Sequence, residues 1–348
     1  MNLAELTTLR LGGPAGHVVD ARTDDELIAA IRECDERGEP VLILGGGSNL
    51  VVADEGFPGT VVRVLTSGIT VDDRGCDPDE LAACGGLLVS VAAGENWDDF
   101  VARAVLAGWI GIEALSGIPG AVGATPMQNV GAYGQEVADT LWSVRTYDRE
   151  TGTIRTFANA ECEFGYRTSR FRGSDRYVIL EVTYQLLLGT LGTPVGYAEL
   201  SRALGIEPGE RAKLPEVRDA VLELRRGKGM VLDPADHDTW SAGSFFTNPI
   251  LPADQADSLP DGAPRWPLPD GRVKTSAAWL IDRSGFGRGY AGPGGRVSLS
   301  TKHTLALTNR GGATTADLIA LAREVRTGVR AAFGIELVNE PVLLGCSL

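Results

Sequence analysis

The chain has 348 residues, 43% of them hydrophobic and 22% charged. That balance excludes a disordered, collagenous or coiled-coil chain and provides apolar mass for two or three domains. A formal net charge of −14 argues against non-specific binding to nucleic acid or to an anionic membrane, so an anionic ligand needs a local basic pocket.

In chain order, Thr23 and Glu26 stand at capping-box spacing, and Leu27, Ile31 and Cys34 share one face. This predicts a helix over 23–37 that Gly38 ends. A buried strand, 41–44, runs into the loop Gly45-Gly46-Gly47-Ser48-Asn49. The apolar run 50–52, a Gly/Pro turn at 56–59 and a strand over 61–65 follow. Strands are expected at 87–92, 144–147 and 177–187. A helix starts near Trp97, carries Phe100, Val101, Ala104 and Val105, and stops at Gly108. A second glycine-rich stretch covers 111–134. The composition shifts near 190–200. Short helices are expected at 197–204 and 215–226, then short strands, a helix over 314–333 and a final strand over 335–344. No apolar run approaches the about 20 residues of a membrane helix. The segment MNLAELTTLRLGG lacks the basic and apolar regions of a signal peptide. Five scattered cysteines, Cys34, Cys76, Cys84, Cys162 and Cys346, form no CxxC pair and read as reduced cytoplasmic thiols.

Glycine is the compositional outlier, with 45 residues against a usual share of about 7%. A glycine loop directly after a buried strand suits phosphate binding, because bare backbone N–H groups can converge on an anion there. A tight turn without a ligand is the competing reading of this loop. It is not a Rossmann fingerprint, since Leu50 takes the sixth position and no helix follows, and no P-loop occurs. In the second stretch, Leu115-Ser116-Gly117-Ile118-Pro119-Gly120 precedes Ala121-Val122-Gly123 and Asn129-Val130-Gly131-Ala132-Tyr133-Gly134. This is too glycine-rich for a core element and too apolar for a solvated loop. It suits a segment packed along a large flat cofactor with backbone contacts to a pyrophosphate.

GGGSN at 45–49, SGIPGAVGATPMQNVGAYG at 116–134, FGYRTSRF at 164–171, GSFFTNP at 243–249 and Glu340-Pro341 occur in this order. Together they resemble the UDP-N-acetylenolpyruvoylglucosamine reductase (MurB) family of peptidoglycan synthesis, type I, over nearly the whole chain. The resemblance implies an α+β fold: a two-lobed FAD-binding domain of the vanillyl-alcohol-oxidase (PCMH) type plus a C-terminal α+β substrate-binding domain. FAD-binding lobes are expected at 1–66 and 67–200 and the substrate domain at 201–348, with the C-terminal strand returning to the active site. It also implies tightly bound, non-covalent FAD, NADPH as reductant, and UDP-N-acetylglucosamine enolpyruvate as substrate in the cytoplasm, with no nucleic-acid, membrane or metal partner. The expected cofactor contacts are Gly45, Gly46, Gly47, Ser48, Asn49, Ser116, Gly117, Ile118, Pro119, Gly120, Gly123 and Asn129.

The implied chemistry is hydride transfer from reduced FAD to C3 of the enolpyruvyl ether, followed by protonation at C2. Ser244 is the expected proton donor. Arg167 grips the enolate carboxylate with a guanidinium that stays charged. Glu340 polarises the enolate or relays a proton. Tyr166, Tyr197, Lys228, Asn248, Lys274 and His303 are the expected substrate residues, Tyr197 on a loop that closes over the substrate. Arg167, Lys228, Lys274 and Arg283 are candidates for the local basic pocket. Two other readings stand beside this one: an FAD oxidoreductase of the same cofactor fold that acts on alcohols with oxygen as acceptor, and a UDP-sugar-binding protein without chemistry.

Overall fold

A computed structural model describes residues 1–72 and 86–348, so Cys76 and Cys84 lie outside the described residues. The chain divides into two compact units, and the division cuts across the sequence. The first unit joins Met1–Ala15, Gly47–Phe57 and Lys228–Leu348; the second joins Gly16–Gly46 and Pro58–Gly227.

The second unit is built on an antiparallel sheet with Tyr177–Leu188 at its centre. Leu141–Asp148 and then Thr153–Ala158 lie on one side, and Leu87–Ala92 and then Ile69–Asp72 on the other. A smaller sheet places Phe57–Val64 between Ala15–Ala21 and Val41–Leu44, the last pair parallel. Helix α1 spans Asp24–Arg37 and α2 spans Trp97–Leu106. Their apolar stripes enter one core with Trp97, Phe100, Tyr184 and Phe157, all at most 1% exposed. The cap of α1 forms with one change from expectation. Thr23 accepts from the Glu26 N–H, but the Glu26 carboxylate accepts from Arg22 N–H, one residue before the cap. Gly38 closes the helix at φ 63°, the left-handed conformation that glycine adopts without a Cβ clash. Two further helices, α3 (Ala198–Leu204) and α4 (Leu214–Gly227), pack on each other at the end of this unit.

The first unit has its own core, in which α5 (Ala253–Asp257), α6 (Ala277–Arg283) and the long α7 (Thr315–Phe333) surround Phe245 and Phe246. Leu318, Leu321, Val325 and Val329 of α7 are fully buried along the stripe the periodicity predicts. The final strand is shorter than expected. Only Val342–Leu344 is a strand, parallel to Leu50–Val52, because Pro341 has no N–H to give a ladder. Cys34 and Cys162 are buried free thiols and Cys346 is half-buried; burial pushes the Cys162 thiol up to about 12.

Candidate active site

The strand Val41–Leu44 ends at the glycine loop, of which Gly45 and Gly46 belong to the second unit and Gly47, Ser48 and Asn49 to the first. A Cβ on Gly46 would approach Gly120 Cα to 2.6 Å, whereas one on Gly45 would meet Ala121 Cβ at an ordinary 3.4 Å. Gly47 sits at φ 59°, and its Cβ would run into the Leu6 carbonyl oxygen. Backbone packs on backbone here, which only glycine permits. Among the described residues, no protein acceptor meets the N–H groups of Gly46, Gly47 or Ser48. A run of bare backbone donors is the chemistry that a pyrophosphate requires.

The partner stretch is anchored from behind. Ser116 is fully buried and its hydroxyl donates to Glu113 O at 2.7 Å. The Gly117 N–H donates to Asp98 Oδ1 at 2.6 Å. Asp98 is also gripped by both arms of Arg218, at 2.7 and 3.0 Å. Burial pushes the Asp98 carboxyl up, but the bonds from Arg218 and Gly117 outweigh it and hold the group below its ordinary value. Gly123 packs on Ala93, where a Cβ would come within 2.6 Å of the Ala93 Cβ. Within Ser116–Gly120, Ile118, Pro119 and Gly120 are half-buried, so those three present surface that a cofactor can reach.

The second unit also brings Arg167 and Asn129 together. Asn129 is 1% exposed and left-handed at φ 49°. Its amide donates to Glu136 Oε2 at 2.6 Å and its oxygen accepts from Ala138 N–H at 3.0 Å, so the side chain holds local structure. Arg167, at φ 52°, donates to Gly131 O at 2.8 Å and Asn129 O at 3.4 Å. Its guanidinium lies 5.5 Å from the Tyr166 ring. Tyr197, 46% exposed, caps α3 and meets the Tyr133 ring edge-on at 5.5 Å. Burial pushes the Tyr133 phenol up to about 12, and burial followed by Glu199 raises that of Tyr197. Both hydroxyls are therefore neutral donors at ordinary pH.

In the first unit, Ser244 stands between Gly243, at φ 72°, and the buried pair Phe245 and Phe246. Phe245 is pinned on both edges: its N–H donates to Leu305 O at 2.7 Å and its carbonyl accepts from Glu340 N–H at 2.8 Å. Phe246 bridges Asn339 in antiparallel sense, and Thr247 N–H donates to Val338 O at 3.0 Å. This register sets Ser244 one residue from the position opposite Glu340. His303 lies two residues before Leu305, in the turn between Val297–Leu299 and Leu307–Asn309. Asn248 Oδ1 accepts from Ala277 N–H at 3.0 Å and so helps to start α6. Lys274 is in the strand Val273–Thr275, its ammonium 5.8 Å from the Trp266 ring. Arg283 is exposed at the end of α6, 5.7 Å from the Trp279 ring, and Lys228 follows α4 directly. Among the described residues, no group of three His, Cys, Asp or Glu is placed to hold a metal ion. No helix among them is long and apolar enough to cross a membrane.

Sequence reasoning passed over Asp98 and Glu113. Asp98 reads as an ordinary acid in the first turn of α2. Glu113, in Gly111-Ile112-Glu113-Ala114-Leu115, carried one signal: a lone carboxylate in an apolar run.

Two family models match the chain. One, described as FAD binding domain, covers residues 15–158. The other, described as UDP-N-acetylenolpyruvoylglucosamine reductase, C-terminal domain, covers residues 233–344. The chain is similar to the UDP-N-acetylenolpyruvoylglucosamine reductase of Cutibacterium acnes, with 59% identity over 99% of this chain and 90% of the relative. It is 57% identical to that of Thermobifida fusca over 99% of this chain and 97% of the relative. Among solved structures, the MurB reductase of Thermus caldophilus matches with a TM-score of 0.64 and 26% identity, over 99% of this chain and 97% of that one.

Proposed function

Because this chain belongs to the UDP-N-acetylenolpyruvoylglucosamine reductase family, we propose from its own residues how it carries out the family's reaction. It is an FAD-containing oxidoreductase that uses NADPH to reduce UDP-N-acetylglucosamine enolpyruvate to UDP-N-acetylmuramate in peptidoglycan precursor synthesis. Its fold is α+β, with an FAD-binding domain and the family's C-terminal domain. The residues present fit the cofactor: the bare N–H groups of Gly46 to Ser48 suit its pyrophosphate, and Ile118 to Gly120 offer a flat, half-buried backbone. Bound FAD supplies the hydride.

In this proposal Gly45, Gly46, Gly47, Ser48 and Asn49 hold the pyrophosphate and ribityl region. The stretch Ser116–Asn129 holds the ring system, with Ser116, Gly117, Gly123 and Asn129 acting as its internal supports. Ser244 gives the proton to C2 of the reduced ether. A hydroxyl is a weak acid, but a carbon enolate is a base strong enough to take its proton. Arg167 stabilises the charge that develops on the carboxylate, and Glu340 assists as polariser or proton relay. The observation that carries these roles is the pinning of Phe245 by Glu340 N–H at 2.8 Å, which holds Ser244 and Glu340 on neighbouring, rigid backbone. Lys228 and Lys274 supply positive charge for the diphosphate. Tyr166, Tyr197, His303 and the Asn248 amide supply hydrogen bonds to the substrate. FAD-binding lobes at 1–66 and 67–200, a substrate domain at 201–348 with the C-terminal strand returning to the active site, a cytoplasmic location and the absence of a nucleic-acid partner belong to the same proposal.

The test is optical. Protein refolded with FAD is yellow, is bleached by NADPH without oxygen, and regains colour on addition of UDP-N-acetylglucosamine enolpyruvate. Failure to take up flavin removes the enzyme reading. Recovery of colour with oxygen and not with the enolpyruvyl ether points to the alcohol-oxidising alternative.

A further inference from the structure

Glu113 is the most buried carboxylate among the described residues of the second unit, 1% exposed, and the proposed reaction gives it no role. Its side chain is held by its own turn at Gly111 and by the distant loop at Thr193. Gly111 N–H donates to Oε2 at 2.7 Å; Thr193 donates to Oε1 with its N–H at 2.7 Å and its hydroxyl at 3.1 Å. The Thr193 hydroxyl in turn accepts from Gln135 Nε2 at 2.7 Å, and Gln135 Oε1 accepts from Ala114 N–H at 2.7 Å. Gly192 fits because a Cβ there would come within 2.6 Å of Glu113 Oε1.

The segment that Glu113 holds is the one that carries Tyr197. Its outer edge pairs with the following loop, through Gly192 N–H to Ala212 O at 2.9 Å and Val195 N–H to Glu210 O at 2.8 Å. On the other side, Thr193, Pro194, Val195 and Gly196 line a cavity of about 540 Å³ together with Tyr133 and Gly134. On that side the Glu113 carboxylate, helped by Gln135, holds the segment through Thr193. The same residue holds the cofactor stretch, since its carbonyl accepts from the Ser116 hydroxyl.

We propose that Glu113 is a positioning residue that fixes the base of the Tyr197 segment against the Ser116 stretch, so that the Tyr197 hydroxyl is presented to the substrate diphosphate in one place. This rests on the reading of Tyr197 as a substrate contact.

The experiment is a double-mutant cycle in steady-state kinetics of the flavin-loaded enzyme, with E113Q, Y197F and the pair. E113Q keeps the shape but sets an amide donor against the N–H of Gly111 or Thr193. Substrate KM should rise about tenfold, the scale of one lost hydrogen bond to a charged group, with kcat little changed. The double variant should be no worse than the stronger single, because both act through one contact. A wild-type KM in E113Q beside a raised KM in Y197F overturns the positioning role and leaves Tyr197 standing. Additive effects also overturn it, since they show Glu113 acting elsewhere. An unchanged KM in Y197F removes the Tyr197 reading and this inference with it. T193V, which deletes only the hydroxyl, is read by the same cycle should E113Q not fold.

Discussion

In the proposed mechanism, flavin reduction by NADPH and protonation by Ser244 fall in different half-reactions, so one substitution can separate them. Reduction of the flavin by NADPH needs no proton at C2 of the sugar ether. Ser244→Ala should therefore bind FAD and be reduced by NADPH at a near-normal rate. Its reoxidation by the enolpyruvyl substrate should fall by about 10²–10⁴-fold, the usual cost of a lost general acid. Ser244→Cys should recover part of the loss, because a thiol with a pKa of about 8.5 is a better acid than an alcohol. Stopped-flow absorbance resolves both steps; slowed reduction with intact reoxidation would transfer the acid role to Glu340. Tyr197 gives a second single-residue test. Its phenol is neutral at ordinary pH, with an ordinary value near 10 that burial and Glu199 raise further, and so can donate; Tyr197→Phe should weaken substrate binding by about 1.5–3 kcal/mol and leave kcat nearly intact. An unaltered KM would mean that the ring only packs against Tyr133.

At the scale of elements, the glycine loop makes a graded prediction. Gly45 has ordinary room for a methyl, whereas Gly46 lies against the Gly120 backbone. Gly45→Ala should retain a full complement of flavin. Gly46→Ala forces the loop away from its neighbour, and overpacking of this kind costs about 1–3 kcal/mol. It should release FAD on dialysis with the circular dichroism unchanged. Equal flavin retention by the two variants would contradict the backbone cradle. Helix α7 offers a test of local stability. Thr314 Oγ1 accepts from Asp317 N–H at 3.1 Å, and the Asp317 carboxylate accepts from Thr314 N–H at 3.0 Å. Thr314→Ala should cost about 1 kcal/mol, read as a lower denaturation midpoint with an unchanged slope.

The stability of the whole molecule should carry a signature in acid. Asp148 is 3% exposed, and both arms of Arg176 reach it at 2.9 and 2.7 Å. Those bonds, opposed by burial and helped by Glu150 N–H, lower its carboxyl from the ordinary 3.8 to about 2. The folded value lies below the unfolded one, so the pair stabilises fully above 3.8 and the contribution is lost as pH falls toward about 2. Asp148→Asn should lower the melting temperature at neutral pH and flatten its decline across that window; an equally steep decline in the variant would place the acid sensitivity elsewhere. Much of the molecule was legible without coordinates. Helices α1, α2, α4 and α7 follow from apolar spacing and end signals that act within one turn, such as Thr23 and Gly38. The glycine loop stood out because bare backbone is itself a local feature, whereas the Ser244 segment was marked only by the family resemblance. Tertiary structure decided what depends on distant partners. Gly47 is needed because of Leu6, Phe245 is held by Leu305 and Glu340, and Glu113 meets Thr193 across 80 positions. The two cores draw their residues from interleaved segments. Periodicity describes which face of an element is apolar, but it carries no record of which other face covers it, and only the closed fold supplies that partner.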